Sequence, residues 1–231
     1  MGTKGSGTIF FAHCNMKCVY CQNYEISHLG EGRAVSNEKL ADIMLYLQNI
    51  GCHNINFVSP THFVPQIVES LIIALDKGLN IPLVYNTGGY DALNTIKSLN
   101  NIIDIYMPDV KYGDDDTAKS YSSVKGYFTN IKKILIEMYN QVGSLKYDER
   151  GIAIKGLMIR HLVLPNDLAN SSKVFDFLAK KLPKDTFINI MNQYYPAHRA
   201  KEYPELSRII TREEYTESIK QALQRGLLNI C

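Results

Sequence analysis

The stretch Gly5-Ser6-Gly7-Thr8-Ile9-Phe10-Phe11-Ala12-His13-Cys14-Asn15-Met16-Lys17-Cys18-Val19-Tyr20-Cys21 decides how the rest of the chain is read. Thr8–Ala12 is short and apolar, carries β-branched and aromatic side chains, and is led by Gly5-Ser6-Gly7. That is the pattern of a buried strand. The cysteines, spaced C-x3-C-x2-C, therefore stand on the loop leaving the strand's C-terminal end. Three thiolates in one short loop can converge on one inorganic centre. They cannot all pair as disulfides, and they repel unless a cation holds them.

Two kinds of centre suit such a loop. A structural zinc closes a tetrahedron, generally with two separated pairs of Cys or His. This chain offers one cluster and no second pair, although His13 and His28 lie close enough in sequence to complete a shell. A cubane [4Fe-4S] cluster held by three cysteines leaves its fourth iron open to a substrate or cofactor, whereas electron-transfer ferredoxins supply a fourth Cys. The bland alternative is three clustered structural thiols, because short motifs recur by chance.

Cys14-Asn15-Met16-Lys17-Cys18-Val19-Tyr20-Cys21, with an aromatic before the last Cys, resembles the signature of the radical S-adenosylmethionine (SAM) enzymes. The wider stretch, from Gly5 to Phe11 and on through Cys21-Gln22-Asn23-Tyr24-Glu25, resembles the branch similar to pyruvate formate-lyase-activating enzyme. The resemblance implies that Cys14, Cys18 and Cys21 hold a [4Fe-4S] cluster whose open iron is chelated by SAM, with Tyr20 near the adenine. It implies reductive cleavage of SAM to a 5′-deoxyadenosyl radical, with electrons from a donor such as flavodoxin or ferredoxin. It further implies activation of a glycyl radical protein by hydrogen abstraction from a backbone glycine, the partner threading an extended segment into the barrel's lateral gap. Action on another peptide or small molecule, or a non-enzymatic iron–sulfur or zinc module, are the other readings. Relatives of that branch carry an N-terminal extension with further cysteines. Here Met1-Gly2-Thr3-Lys4 leads almost at once into the first strand, so a shortened member or a fragment is expected.

The chain has 231 residues, 45% hydrophobic, enough for one large α/β domain. With 25 Lys plus Arg against 23 Asp plus Glu, no charge excess points to nucleic acid or a membrane surface. No apolar run approaches the roughly 20 residues that span a bilayer, and no secretory segment is evident. Five cysteines, an odd number with three in one loop, argue against a disulfide scaffold and fit a reducing cytoplasm.

Beyond the cysteine loop, strand and helix alternate. Ser36-Asn37-Glu38 opens a helix with Leu40, Ile43, Met44 and Leu47 at helical spacing, ended by Gly51. Strand Ile55–Val58 and a helix from about Val64 to Lys77 follow. Then come strand Pro82–Tyr85, a helix near Asp91 to Leu99, strand Ile103–Met107 and a helix of roughly Tyr127 to Gln141. Gly143 to Lys155 reads as a polar, turn-rich excursion. Strand Gly156–Leu164, helix Lys173 to Lys181 and strand Phe187–Met191 complete six units. The last helix opens on the capping-box pattern Thr211-Arg212-Glu213-Glu214 and ends near Gly226. Six alternations predict parallel strands with right-handed crossovers. A closed barrel takes eight, so an open, partial (β/α)6 barrel is expected over residues 1–231; a doubly wound sheet would alternate in the same way.

Ligands of such folds bind at the C-terminal strand ends. Those ends carry Ser59-Pro60-Thr61-His62, Asn86-Thr87-Gly88-Gly89, Pro108-Asp109-Val110-Lys111 and Asn192–His198. By resemblance, Ser59 and Thr61 stand where the family's Gly-Gly-Glu motif receives the SAM ammonium, without its glutamate. Asn86-Thr87 and Met107-x-Asp109-x-Lys111 resemble segments that contact SAM and carry a monovalent cation. Asn86, Asp109 and Lys111 are thus candidate SAM contacts, and Thr87, Met107 and Asp109 a candidate cation site; His198 matches a SAM-contacting histidine. Read without the resemblance, Asp109 and Lys111 are a solvated strand-end pair and Gly88-Gly89 a turn. Arg160 and His161 alternate, so one points inward and the other packs under helices. Tyr194 reads as packing or a substrate contact, and His62 as a substrate-side residue.

Overall fold

The computed structural model describes residues 2–231. Its strands are β1 (Gly7–Phe10), β2 (Ile55–Val58), β3 (Leu83–Thr87), β4 (Ile105–Pro108), β5 (Lys146–Tyr147), β6 (Ala153–Leu162) and β7 (Phe187–Met191). They pair in the order β1-β2-β3-β4-β6-β7, each neighbour parallel, while β5 lies antiparallel on the start of β6. Parallel neighbours need a long crossover. Helices supply it: α1 (Tyr24–Ser27) and α2 (Asn37–Asn49), α3 (Val64–Asp76), α4 (Leu93–Ser98), α5 (Asp115–Ser122) and α6 (Tyr127–Val142), then α7 (Ser171–Lys181), with α8 (Arg212–Gln224) last. The strand order never reverses, so there is no switch point and the doubly wound alternative falls away. The fold is the open, partial (β/α)6 barrel.

All five β3 residues are buried, which happens when a parallel sheet is covered on both faces. Helix α6 turns Ile131, Ile134, Leu135 and Met138 inward at one-face spacing. Caps appear where short polar side chains precede helices: Ser36 accepts from Lys39 N, Asp114 from Thr117 N, and Thr211 with Glu214 forms the expected capping box. Among the described residues no ladder joins β1 to β7. The chain's last residues lie along the outer edge of β7, with Ile188 N donating to Asn229 O (3.0 Å) and Ile190 N to Cys231 O (2.9 Å). Among the described residues no helix is long and apolar enough to cross a membrane.

The fold departs from the sequence reading most clearly at α5, at the 143–155 excursion and at the end of β3; the short helix α1 and the bounds of β1, β4 and β6 differ as well. Helix α5 is not expected from the sequence because it carries few apolar residues; only Ala118 and Ser122 are buried. The excursion at 143–155 is partly a hairpin, with Lys146 opposite Lys155 and Tyr147 opposite Ala153, so β6 begins at Ala153. Strand β3 runs on through Asn86 and Thr87, placing both on the barrel itself.

Gly156, where β6 leaves that hairpin, sits at φ +126°, and a Cβ there would lie 2.5 Å from Leu145 Cα and 2.6 Å from Ser144 O. Neither backbone atom can swing aside. Gly156→Ala is therefore expected to lower the unfolding free energy by about 2 kcal/mol or more, read from urea unfolding. An unchanged midpoint contradicts this.

Candidate active site at the strand ends

The cysteine loop is sewn to elements distant in sequence. Lys17 N donates to Ser122 O and Val19 N to Tyr121 O, both at 2.9 Å, and Arg199 N donates to Val19 O at 2.8 Å. Met16, Cys18, Val19 and Tyr20 are buried in the core. Each candidate sulfur meets a hydrogen-bonding group: Met16 N donates to Cys14 Sγ (3.4 Å), Ser122 Oγ donates to Cys18 Sγ (2.9 Å), and Ser27 Oγ lies 3.0 Å from Cys21 Sγ. All five cysteines are free. Burial pushes the Cys18 thiol up to about 11, against the opposing pull of Lys111 and the Ser122 hydroxyl. So buried a thiol becomes a ligand when a metal centre displaces its proton.

Three sulfurs from one loop, each with a donor nearby, fit a [4Fe-4S] cluster. The zinc alternative fits less well. His28 lies edge-on to His198 with centroids 4.7 Å apart, and His13 packs against Gly30.

Asp109, Lys111 and Arg160 form the electrostatic centre of the rim. Lys111 Nζ stands 2.6 Å from Asp109 Oδ2, while Arg160 donates from Nε to Asp109 Oδ1 (2.7 Å) and from Nη2 to Asn86 Oδ1 (3.1 Å). These side chains retain only 14%, 16% and 26% of their exposure for Asp109, Lys111 and Arg160. The solvated-pair reading is thereby corrected. Burial alone would raise the Asp109 pKa, but Arg160 and Lys111 together hold it below the usual carboxylate range. Within this trio, two cations stand against one carboxylate.

Arg160 is the neighbour that points into the barrel. His161, fully buried, points the other way: its Nδ1–H donates to Val110 O (2.7 Å), and its Nε2 accepts from Ser171 Oγ (2.9 Å). It is a structural histidine, its pKa pushed down to about 4 by burial.

Asn86 and Met107 are register partners on β3 and β4. The residues of the expected cation set, Thr87, Met107 and Asp109, lie on adjacent strand ends, with Asp109 N donating to Thr87 O (2.9 Å). The Thr87 hydroxyl donates to Asp91 Oδ2 (2.7 Å), and the Arg160 guanidinium already bridges Asn86 to Asp109. Asp91 also accepts from Thr61 Oγ1 (2.8 Å) and Tyr85 OH (2.9 Å), so Thr61 turns to this buried carboxylate. Ser59, left-handed at φ +57°, donates its N–H to Asn86 O (3.0 Å). Gly89 is required by close approach: at φ +82°, a Cβ would lie 2.6 Å from Asp109 O.

The aromatic candidates divide. Tyr20 is buried, its ring edge-on to Tyr112 and Tyr194 and its hydroxyl 2.6 Å from that of Tyr112. Tyr194 donates to Leu206 O (2.7 Å) and is packing. His198 stacks on Tyr24 at 4.8 Å beside the cysteine loop. His62 Nε2 lies 2.9 Å from Ala12 O, tying the loop after β2 to the loop after β1. An open cleft of about 590 Å³ borders Asn15, Thr61, Tyr90, Asp91, Lys125 and Asn130. Asn15, between Cys14 and Met16, donates to Tyr90 O (2.5 Å), so the cleft adjoins the cysteine loop.

The sequence alone does not single out Arg160, Asp91 and Ser122 as site residues. The alternation of Arg160 with His161 carried a signal for the first. Asp91 follows the Gly-Gly turn at a strand end. Ser122 offered only the acidic start Asp114-Asp115-Asp116 of its helix.

The family model described as the Radical SAM superfamily matches residues 8–144. The uncharacterized protein MJ0674 of Methanocaldococcus jannaschii is 35% identical over 234 residues, covering 96% of this chain and 63% of the relative. The chain thus spans less than two thirds of that relative's length. Among solved structures, Streptococcus suis SuiB bound to precursor peptide SuiA aligns over 98% of this chain and 48% of its own, with TM-score 0.65 at 14% identity. The FeFe-hydrogenase maturase HydG from Carboxydothermus hydrogenoformans aligns over 98% and 52%, with TM-score 0.61 at 15% identity. Native anSMEcpe with bound AdoMet aligns over 95% and 59%, with TM-score 0.60 at 16% identity. At such identities these likenesses concern the fold.

His161 yields a pH prediction. Its folded pKa of about 4 lies below the ordinary 6.5, so between those values the unfolded chain binds the proton and the folded one does not. Stability is full above 6.5 and falls by up to about 3 kcal/mol as pH drops toward 4. Urea unfolding across that window should show a shallower slope with pH in His161→Gln than in wild type; equal slopes contradict the assignment.

Proposed function

The chain belongs to the radical SAM superfamily, and from that premise we propose that it holds a [4Fe-4S] cluster on Cys14, Cys18 and Cys21, reductively cleaves SAM and passes a radical to a second molecule. The carrying observation is the cysteine loop itself, three free thiols each beside an N–H or O–H group, at the barrel rim. When bound, the cluster supplies the electron that breaks SAM's sulfonium carbon–sulfur bond. The electron comes from a donor such as flavodoxin or ferredoxin, and a reducing cytoplasm keeps the thiols available.

The chain's own residues bind and orient. Lys111 and Arg160 offer the positive charge that the methionyl carboxylate needs, and Asp109 fixes both in place. Asn86 and Asp109 border the ribose. The backbone carbonyls of Ser59 and Thr61, after β2, receive the ammonium, and His198 and Tyr20 shape the adenine side. A monovalent cation at Thr87, Met107 and Asp109 remains part of this proposal, with Arg160 beside it on Asp109.

For the second molecule, activation of a glycyl radical protein rests on the likeness of Met107-Pro108-Asp109-Val110-Lys111 and of the Gly5–Glu25 stretch to the activating enzymes. A second reading, transfer to another peptide or a small polar molecule, is favoured by the rim. Gln22 Nε2 donates to Gln193 O (3.1 Å) and Arg199 N to Val19 O, bridging the loops after β1 and β7 above the lateral gap. The cleft beside Asn15 remains open. A substrate entering there meets the polar groups of Asn15, Thr61, Lys125 and Asn130 alongside the apolar surface of Tyr90 and Ala92.

Anaerobically reconstituted, reduced protein given SAM should release 5′-deoxyadenosine, and Cys18→Ala should reduce release to background. Asp109→Ala should weaken SAM binding at least about tenfold, equivalent to about 1.4 kcal/mol. Tight binding of one zinc without SAM cleavage would reject the enzyme reading. A glycyl radical signal in a partner protein after mixing, seen by electron paramagnetic resonance, would select the first substrate class.

A further inference from the structure

Three hydroxyls line up on one cysteine. Tyr20 OH lies 2.6 Å from Tyr112 OH, Tyr112 OH lies 2.7 Å from Ser122 Oγ, and Ser122 Oγ lies 2.9 Å from Cys18 Sγ. The members come from separate segments: the cysteine loop, the strand-end segment after Lys111, and the last residue of α5. Tyr112 and Ser122 have no exposed surface, and Tyr20 keeps 5%.

We infer that Tyr20, Tyr112 and Ser122 form a one-way chain of O–H donors ending on Cys18, and that this chain sets the reduction potential of the iron–sulfur centre. The inference rests on the [4Fe-4S] reading above. Direction follows from counting protons. A metal-bound thiolate has none to give, so the single Ser122 proton goes to Cys18 Sγ. Ser122 Oγ can then only accept, and Tyr112 must donate to it. Tyr112, its own proton committed, accepts from Tyr20.

Aligned O–H dipoles in a dry interior polarise one another, so the last bond is stronger than an isolated serine–sulfur contact. Donation to a cysteinyl sulfur draws negative charge away from the cluster. It therefore favours the reduced, more negative state and raises the potential. The other two sulfurs lack such a chain among the described hydrogen bonds. Cys14 meets a backbone N–H at 3.4 Å, and Cys21 meets the Ser27 hydroxyl alone. Cys18 is thus electronically distinct from its two neighbours, and Tyr112 and Ser122 are positioning residues that act through it.

Wild type, Ser122→Ala, Tyr112→Phe and Tyr20→Phe would be reconstituted anaerobically and titrated with titanium(III) citrate, the reduced cluster being read by electron paramagnetic resonance. The midpoint potential should become more negative in all three variants, most in Ser122→Ala, less in Tyr112→Phe and least in Tyr20→Phe. The phenylalanine variants keep ring and packing, so a merely structural role predicts no shift in them. An unmoved potential in Ser122→Ala, or in Tyr112→Phe, overturns the inference. If wild type builds the cluster and cleaves SAM while the potentials coincide, only the donor chain fails. A wild-type protein that assembles no such cluster sinks both readings.

Discussion

The organising constraint is the burial of a polar, cysteine-bearing loop inside an apolar core. Residues 16 and 18–20 give up their solvent, so their backbone groups must find partners. They find them on the end of α5 and on the loop after β7, through Lys17 to Ser122, Val19 to Tyr121, and Arg199 to Val19. A short stretch near the start of the chain is therefore positioned by residues about 100 and 180 positions later. Because one anchor is helical and the other lies beyond β7, the loop bridges the rim of a barrel that stays open along its side.

Charge is managed in two ways beneath that loop. Asp109 is neutralised by two cations and keeps its ionised form despite burial. Asp91, more deeply buried, has three hydroxyl donors and, among the described residues, no cationic partner, and its pKa rises, burial outweighing the hydrogen bonds. The difference follows from position: Arg160 reaches across from β6 to β4, while Asp91 lies beyond β3 among Thr61, Tyr85 and Thr87. Lys111 joins the two layers. Its backbone N–H donates to Tyr127 OH (3.0 Å), and its ammonium is close enough to oppose the rise in the Cys18 pKa.

Much of this was legible beforehand, and the omissions share a cause. Short runs rich in β-branched and aromatic side chains mark strands, so Ile55–Val58 and Phe187–Met191 are legible to the residue. Helices with an apolar face, such as α6, also announced themselves. Helix α5 did not, because it is held by its Asp114 cap and two small buried residues rather than by a stripe. The cysteine loop was readable from spacing alone. Its anchors were not, since a serine gives no hint in sequence that it will meet a thiol 104 positions earlier. The pairing of Arg160 with Asp109 was hidden likewise, because alternation shows that one of two neighbours turns inward but not which one.

The central claim is that three protein sulfurs hold a cubane whose remaining iron is left for SAM. Mössbauer spectroscopy of the iron-57-reconstituted protein, with and without SAM, tests it most directly. The account predicts a [4Fe-4S] signal in which one iron in four changes its isomer shift when SAM is added. Four irons that all ignore SAM, or no cubane signal at all, would contradict it.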